Sequence, residues 1–333
     1  MSITRSAGRP AAFALVLAVA LVLPGAASAQ SQKPVVATGA AANVQQSTVT
    51  LTGTVRPRGA QTTHFFQIGL NRLYGTNTPG LVLGRNAGPT RVTAPVTGLV
   101  PATTYHYRVV AQNRNGLVFG NDRTFKTRRQ PLGLVLGASA NPVAFNGPTV
   151  LTGQLTGTGS AGQAVQLQAN PWPFTQGFAN VGNALVTDAN GAFTFPILAV
   201  PLNTWYRVQM PERPAVVSPI LAVGVLVRVS TRATPRRVRR DRRGHLKRVH
   251  FRGRITPAVP AGQPVAIQRL DAGGVWTTIA STTTRAANGL YSTYSRRVRV
   301  RHSNRYRVLA NLPDGAYVAN AGRTVRVRRL PSR

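Results

Sequence analysis

The chain has 333 residues, no cysteine, and 41 basic against six acidic side chains, a formal net charge of +35. Without thiols, disulfides, thiolate catalysis and cysteine-ligated metals are excluded. Six scattered carboxylates and five histidines supply no convincing pair or triad for hydrolysis, so a non-enzymatic protein without cofactor is expected.

The charge is unevenly spread. Residues 30–130 hold twelve basic residues and one acid, a net of +11. Residues 131–222 balance Arg207 and Arg213 against Asp188 and Glu212. Residues 223–333 set twenty-five basic residues against Asp241, Asp271 and Asp314, a net of +22. An arginine-rich codon bias acts on a whole gene, so it does not explain a neutral stretch beside a very basic one.

Residues 1–29 read as a secretory signal peptide. Arg5 and Arg9 give the positive start, Ala11–Leu23 is an unbroken apolar run, and Ala27-Ser28-Ala29 offers small residues for cleavage before Gln30. The run is short for a bilayer span, and no later stretch is apolar enough to be one. A secreted location, extracellular or envelope-associated, is expected.

Beyond that segment one phrase returns three times. Leu51-Thr52-Gly53-Thr54-Val55 is echoed by Leu151-Thr152-Gly153-Gln154-Leu155 and by Phe251-Arg252-Gly253-Arg254-Ile255. Each copy is followed some fifty residues later by Tyr-Arg-Val, at Tyr107–Val109, Tyr206–Val208 and Tyr306–Val308. A spacing near 100 residues is the size of a small domain, so three domains are predicted, at 33–128, 132–225 and 226–330. Little linker separates them. Inside each, apolar and polar residues alternate with period two between short Gly, Pro and Asn clusters such as Asn190-Gly191 and Asn288-Gly289. That pattern predicts strands and hairpin turns, hence an all-β chain of three tandem β-sandwiches.

In the first domain, Leu99-Val100-Pro101-Ala102-Thr103-Thr104-Tyr105-His106-Tyr107-Arg108-Val109 resembles the fibronectin type III signature. The resemblance implies a tyrosine corner at Tyr105, whose hydroxyl ties back to nearby backbone. The second and third domains are similar to each other: Ala161–Gln168 matches Ala261–Gln268, and Phe178 and Val181 match Trp276 and Ile279. Both resemble bacterial immunoglobulin-like domains of exported proteins.

Several motifs suggest chemistry and are better read as structure. Gly157–Gly162 fits a dinucleotide fingerprint, but Gln163–Gln168 after it alternates as a strand and not a helix, so a turn is expected. Asp188-Ala189-Asn190-Gly191 lacks the later Glu of a calcium loop and reads as a hairpin turn. His245 and His250 fall on opposite faces of one strand, so no shared metal is expected. His64 and His106 are expected on a sheet surface, with Asp122 their only local carboxylate. Trp172 and Phe174, in an aromatic insertion, are the residues of an alternative reading, a module binding carbohydrate or a small ligand.

The leading candidate site is the third domain's arginine array. With Val249, Phe251, Val298, Val300, Tyr306, Val308, Val325 and Val327 inward, strand parity turns Arg248, Arg252, Arg254, Arg297, Arg299, Arg301, Arg305, Arg307, Arg326 and Arg328 outward. Arg236, Arg237, Arg239, Arg240, Arg242 and Arg243 add a basic run. Guanidinium forks suit phosphate and carboxylate oxygens, so adhesion to a polyanion is predicted. The candidates are anionic envelope polymers, acidic polysaccharide, anionic lipid head groups and, non-specifically, extracellular nucleic acid. No protein partner can be named, and sequence-specific DNA reading is disfavoured without a recognition helix.

Overall fold

The computed structural model describes residues 31–239 and 248–330, and these contain strands, turns and no helix. The expected signal peptide lies outside the described residues. Among the described residues the strands build three pairs of facing sheets and one small two-stranded parallel sheet around three separate apolar cores, so the chain is an all-β tandem of immunoglobulin/fibronectin type III-like sandwiches. The described residues up to Arg128 form one compact unit, and the described residues from Arg129 onward form another that contains two cores.

In the first unit Val35–Thr38, Val49–Arg56 and Thr90–Val96 make one antiparallel sheet. The other centres on Thr62–Gly69 against Thr104–Asn113, with Gly116–Phe119 and Arg123–Lys126 beyond. Alternation decides which side chains meet: Leu51, Val55, Phe66, Tyr107 and Val109 are almost wholly buried between the sheets. Tyr105 makes the corner its sequence implied, its hydroxyl accepting the Val100 N–H at 3.0 Å.

The second unit repeats this plan twice. Gly147–Thr156 pairs with Gly133–Ala138 and Ala192–Val200, facing a sheet built on Ala164–Pro171 and Thr204–Met210. Next, Arg248–Thr256 pairs with Arg228–Val229, Arg232–Thr234 and Ser292–Arg299, facing a sheet of Trp276–Thr283, Pro264–Leu270, Asn304–Ala310 and Val325–Arg329. Gly157–Gly162 is a turn leading into a strand, and Asp188 Oδ1 accepts the Asn190 and Ala192 N–H groups to close its hairpin.

The repeated phrase now has a structural meaning. Its outer residues, Leu51 and Val55, Leu151 and Leu155, Phe251 and Ile255, are all fully buried, each stabilising its core by about 1.5–3 kcal/mol. The central glycine points the same way and meets a neighbouring strand closely. A side chain at Gly153 would strike the Val135 carbonyl and the Phe193 ring, and one at Gly253 the Ser230 carbonyl.

The two sandwiches of the second unit are joined by more than the chain. Leu221–Val223 pairs with Thr204–Tyr206, Val225–Leu226 with Val143–Ala144, and Val227 enters the third core. Tyr317 packs against both cores and meets the Phe145 ring edge-on at 6.4 Å. Asn203 donates and accepts hydrogen bonds here: its N–H donates to the Ala316 carbonyl, its side-chain amide N–H to the Gly315 carbonyl, and its Oδ1 accepts the Val225 N–H at 2.7 Å.

Candidate anionic-polymer interface

Strand parity in the third domain follows the sequence. Val249, Phe251, Val298, Val300, Tyr306, Val308, Val325 and Val327 are buried, while Arg248, Arg252, Arg254, Arg297, Arg299, Arg301, Arg305, Arg326 and Arg328 are exposed. Arg236, Arg237 and Arg239 are exposed as well. Arg240, Arg242 and Arg243 lie outside the described residues.

Register converts these positions into two opposed basic faces. On one, Arg232 stands opposite Arg252, Arg248 opposite Arg299, and His250 opposite Arg297. On the other, Arg305 stands opposite Arg326, and Arg237 pairs beside Arg328. Like charges placed directly across a ladder oppose folding by a few tenths to about 1 kcal/mol per pair. Among the described residues the salt bridges formed all converge on Asp122 in the first domain, so none relieves this array. Burial and the charges of Arg297 and Arg252 hold the His250 imidazole below its ordinary pKa, as expected in a positive field.

Arg307 differs from the other nine arginines that parity turns outward. It is half-buried, its Nε donates to Gln268 Oε1 at 2.8 Å, and its guanidinium lies 4.5 Å over the Trp276 ring. The same device recurs in every Tyr-Arg-Val copy. Arg207 donates to Gln168 over Phe178, and Arg108 donates to Gln67 over Phe119, with the glutamine directly opposite the arginine each time. The middle residue of that repeat is therefore a strut bracing a sheet surface.

The aromatic insertion is engaged within the second unit. Trp172 donates its indole N–H to the Asp314 carbonyl at 2.9 Å, and Phe174 stacks on Trp205 at 4.1 Å.

The first domain holds a polar cluster that the sequence did not assemble. His106 Nδ1 lies 2.8 Å from Asp122 Oδ2, Tyr74 donates to Asp122 Oδ1 at 2.9 Å, and Arg72 approaches at 3.4 Å. His64 is not on the surface as expected: it shares inward parity with Phe66 and Ile68, is 5% exposed, and burial lowers its pKa. It also lies five pairs along the ladder from His106, so the two imidazoles form no joint site. Burial works to raise the Asp122 pKa, but hydrogen bonds from His106 and Tyr74 and the charges of His106 and Arg72 outweigh it, leaving the carboxyl below its ordinary range. A depressed carboxyl stabilises the fold above its unfolded value near 3.8 and loses that contribution as pH falls through the folded value. Asp122→Asn should therefore cost about 1 kcal/mol at neutral pH. In urea unfolding of residues 31–128, the gap from wild type should close as pH drops below the carboxylate range; a gap constant with pH contradicts the assignment.

Neither a protein-family model nor a curated protein matches the chain. Among solved structures it is similar to the sensor domain of the anti-sigma factor RsgI4 of Pseudobacteroides cellulosolvens, at 21% identity over 28% of this chain and 89% of that one, TM-score 0.23. A tetra-tandem repeat from the extending region of a large adhesion protein gives 15% identity over 89% and 74%, TM-score 0.30. The FN1–FN3 domains of chicken CNTN1 give 13% over 90% and 99%, TM-score 0.27. The fold class rests on the strand pairing itself, independently of these likenesses.

Proposed function

We propose that the protein is a non-enzymatic, exported binding or adhesion protein whose third domain docks on anionic polymers of a cell envelope or its surroundings. One observation carries the reading: arginines face arginines in register on both outer faces of one sandwich, with no carboxylate partner among the described residues. That arrangement disfavours folding, and it gains when a polyanion supplies the missing charge. The first and second domains act as scaffold. The second domain, neutral in sequence, holds the third through the Tyr317 junction.

The test uses the two compact units, residues 31–128 and 129–333, beside the full chain on an immobilised anionic polymer across a salt series. The second unit should bind as the full chain does, and the first weakly. Equal retention of both units would sink the proposal, since binding would then not follow the third domain's arginines.

A further inference from the structure

The two basic faces of the third domain are not alike. On the face of the Arg248–Thr256 sheet, outward positions fall into rows fixed by register. Ser230, Arg254, Thr293 and Arg285 form one row, Arg232, Arg252 and Ser295 the next, and Thr234, His250 and Arg297 the third. Rows repeat about every 7 Å along the strands, two residues at a time. Within them Thr293 and Ser295 make a column of short hydroxyl side chains. Arg252 and Arg254, with Arg232 beside them, wall it on one side and Arg285 on the other, and Arg297 lies on the same face just beyond it. The result is a trough of about 600 Å³. Arg254 is held 4.3 Å over the Tyr291 ring, and His250 Nε2 lies 2.7 Å from Ser295 Oγ. Long cationic walls over a hydroxyl floor differ in kind from an open ladder of arginines.

We propose that this trough is a phosphate seat that takes successive phosphodiester groups of a polyol-phosphate chain. The proposal rests on the polyanion reading above and names the ligand of one of its faces. A carboxylate is planar, and one guanidinium fork in its plane satisfies both oxygens, leaving the floor hydroxyls without a new partner. A phosphodiester is tetrahedral and can meet walls and floor together. It also concentrates its charge on two non-bridging oxygens, where a sulfate ester spreads the same charge over three. A nucleic-acid strand needs open rings on which to stack its bases; Tyr294, which lines this trough, is buried in the core, and Tyr291 beside it is covered by Arg254.

The experiment titrates the full chain with oligo(glycerol phosphate), oligogalacturonate, a sulfated oligosaccharide and oligo(dT), matched in charge number. Thr293→Val with Ser295→Ala removes the floor hydroxyls while leaving every charge in place. Wild type should bind glycerol phosphate about tenfold more tightly than galacturonate, and the double variant should lose that preference. Amide and imidazole resonances of Thr293, Ser295 and His250 should shift with glycerol phosphate in the wild type, showing that the trough is occupied. Equal binding of phosphate and carboxylate by the wild type, or a preference that survives in the folded double variant, overturns the seat and leaves the polyanion reading standing. Tighter binding of the sulfated probe or of oligo(dT) likewise reassigns the face and overturns it. Failure of all four probes defeats the polyanion reading as well.

Discussion

Gly253→Ala should destabilise the third domain by about 3 kcal/mol or more, enough to expose its strands to exchange while the first domain stays folded. The added methyl would run into the Ser230 carbonyl, which belongs to backbone and cannot rotate away. It would also crowd the Tyr294 hydroxyl, which donates to that carbonyl at 2.7 Å and lies 3.0 Å from Thr231 Oγ1. Forcing an extra carbon into a filled core costs about 1–3 kcal/mol. Stranding a buried hydroxyl adds about 1–3 kcal/mol more. Burial pushes the Tyr294 pKa up to about 12, so the hydroxyl remains a donor and cannot escape by ionising. The other copies serve as controls. Gly153→Ala meets a carbonyl and an aromatic ring and should be similarly severe, whereas Gly53→Ala meets Ala37 and Val109 at 3.1–3.4 Å and should be mild. Hydrogen exchange of Arg248–Thr256 and its counterparts, in each variant, reads the three effects separately. A mild Gly253→Ala beside a severe Gly53→Ala would contradict this account of the repeat.

These glycines mark what the sequence conveys and what it withholds. The repeat was visible as spelling, and alternation alone assigned the inward valines and outward arginines of the third domain correctly, because a strand has only two faces. The same rule, applied at Thr62–Gly69, buries His64 beside Phe66 and Ile68, against the surface preference of histidine as a residue type. Other features depend on which strands become neighbours. Gln268 and Arg307 are 39 residues apart, and no local pattern sets one opposite the other. His106 and Asp122 meet because Arg123–Lys126 pairs with the strand that carries His106. Nothing local marks Arg232 and Arg285 either: they become walls of a trough only when a short strand and an edge strand take up register around Thr293 and Ser295.

Salt should weaken binding of a glycerol-phosphate oligomer steeply, by about 100-fold between 50 and 200 mM, and the slope itself reports how many arginines engage. Each neutralised phosphate on a single-stranded chain contributes a slope of roughly −0.7 in log K against log salt. The trough face presents Arg232, Arg252, Arg254, Arg285 and Arg297, so five contacts give a slope near −3.5. The opposite face, with Arg305, Arg326, Arg237 and Arg328, lies across a sandwich core about 10 Å thick. A short oligomer cannot reach both, so a second engaged face requires a longer chain and appears as a slope about twice as steep. Arg252→Gln and Arg285→Gln should each reduce the magnitude of the slope by about 0.7. Arg305→Gln should leave the short oligomer's slope unchanged and flatten the long one's. Arg307→Gln should do little to either slope, because Arg307 is already committed to Gln268 and Trp276. Binding that ignores salt, or falls equally for every arginine replaced, would mean that the faces do not act as separate sites.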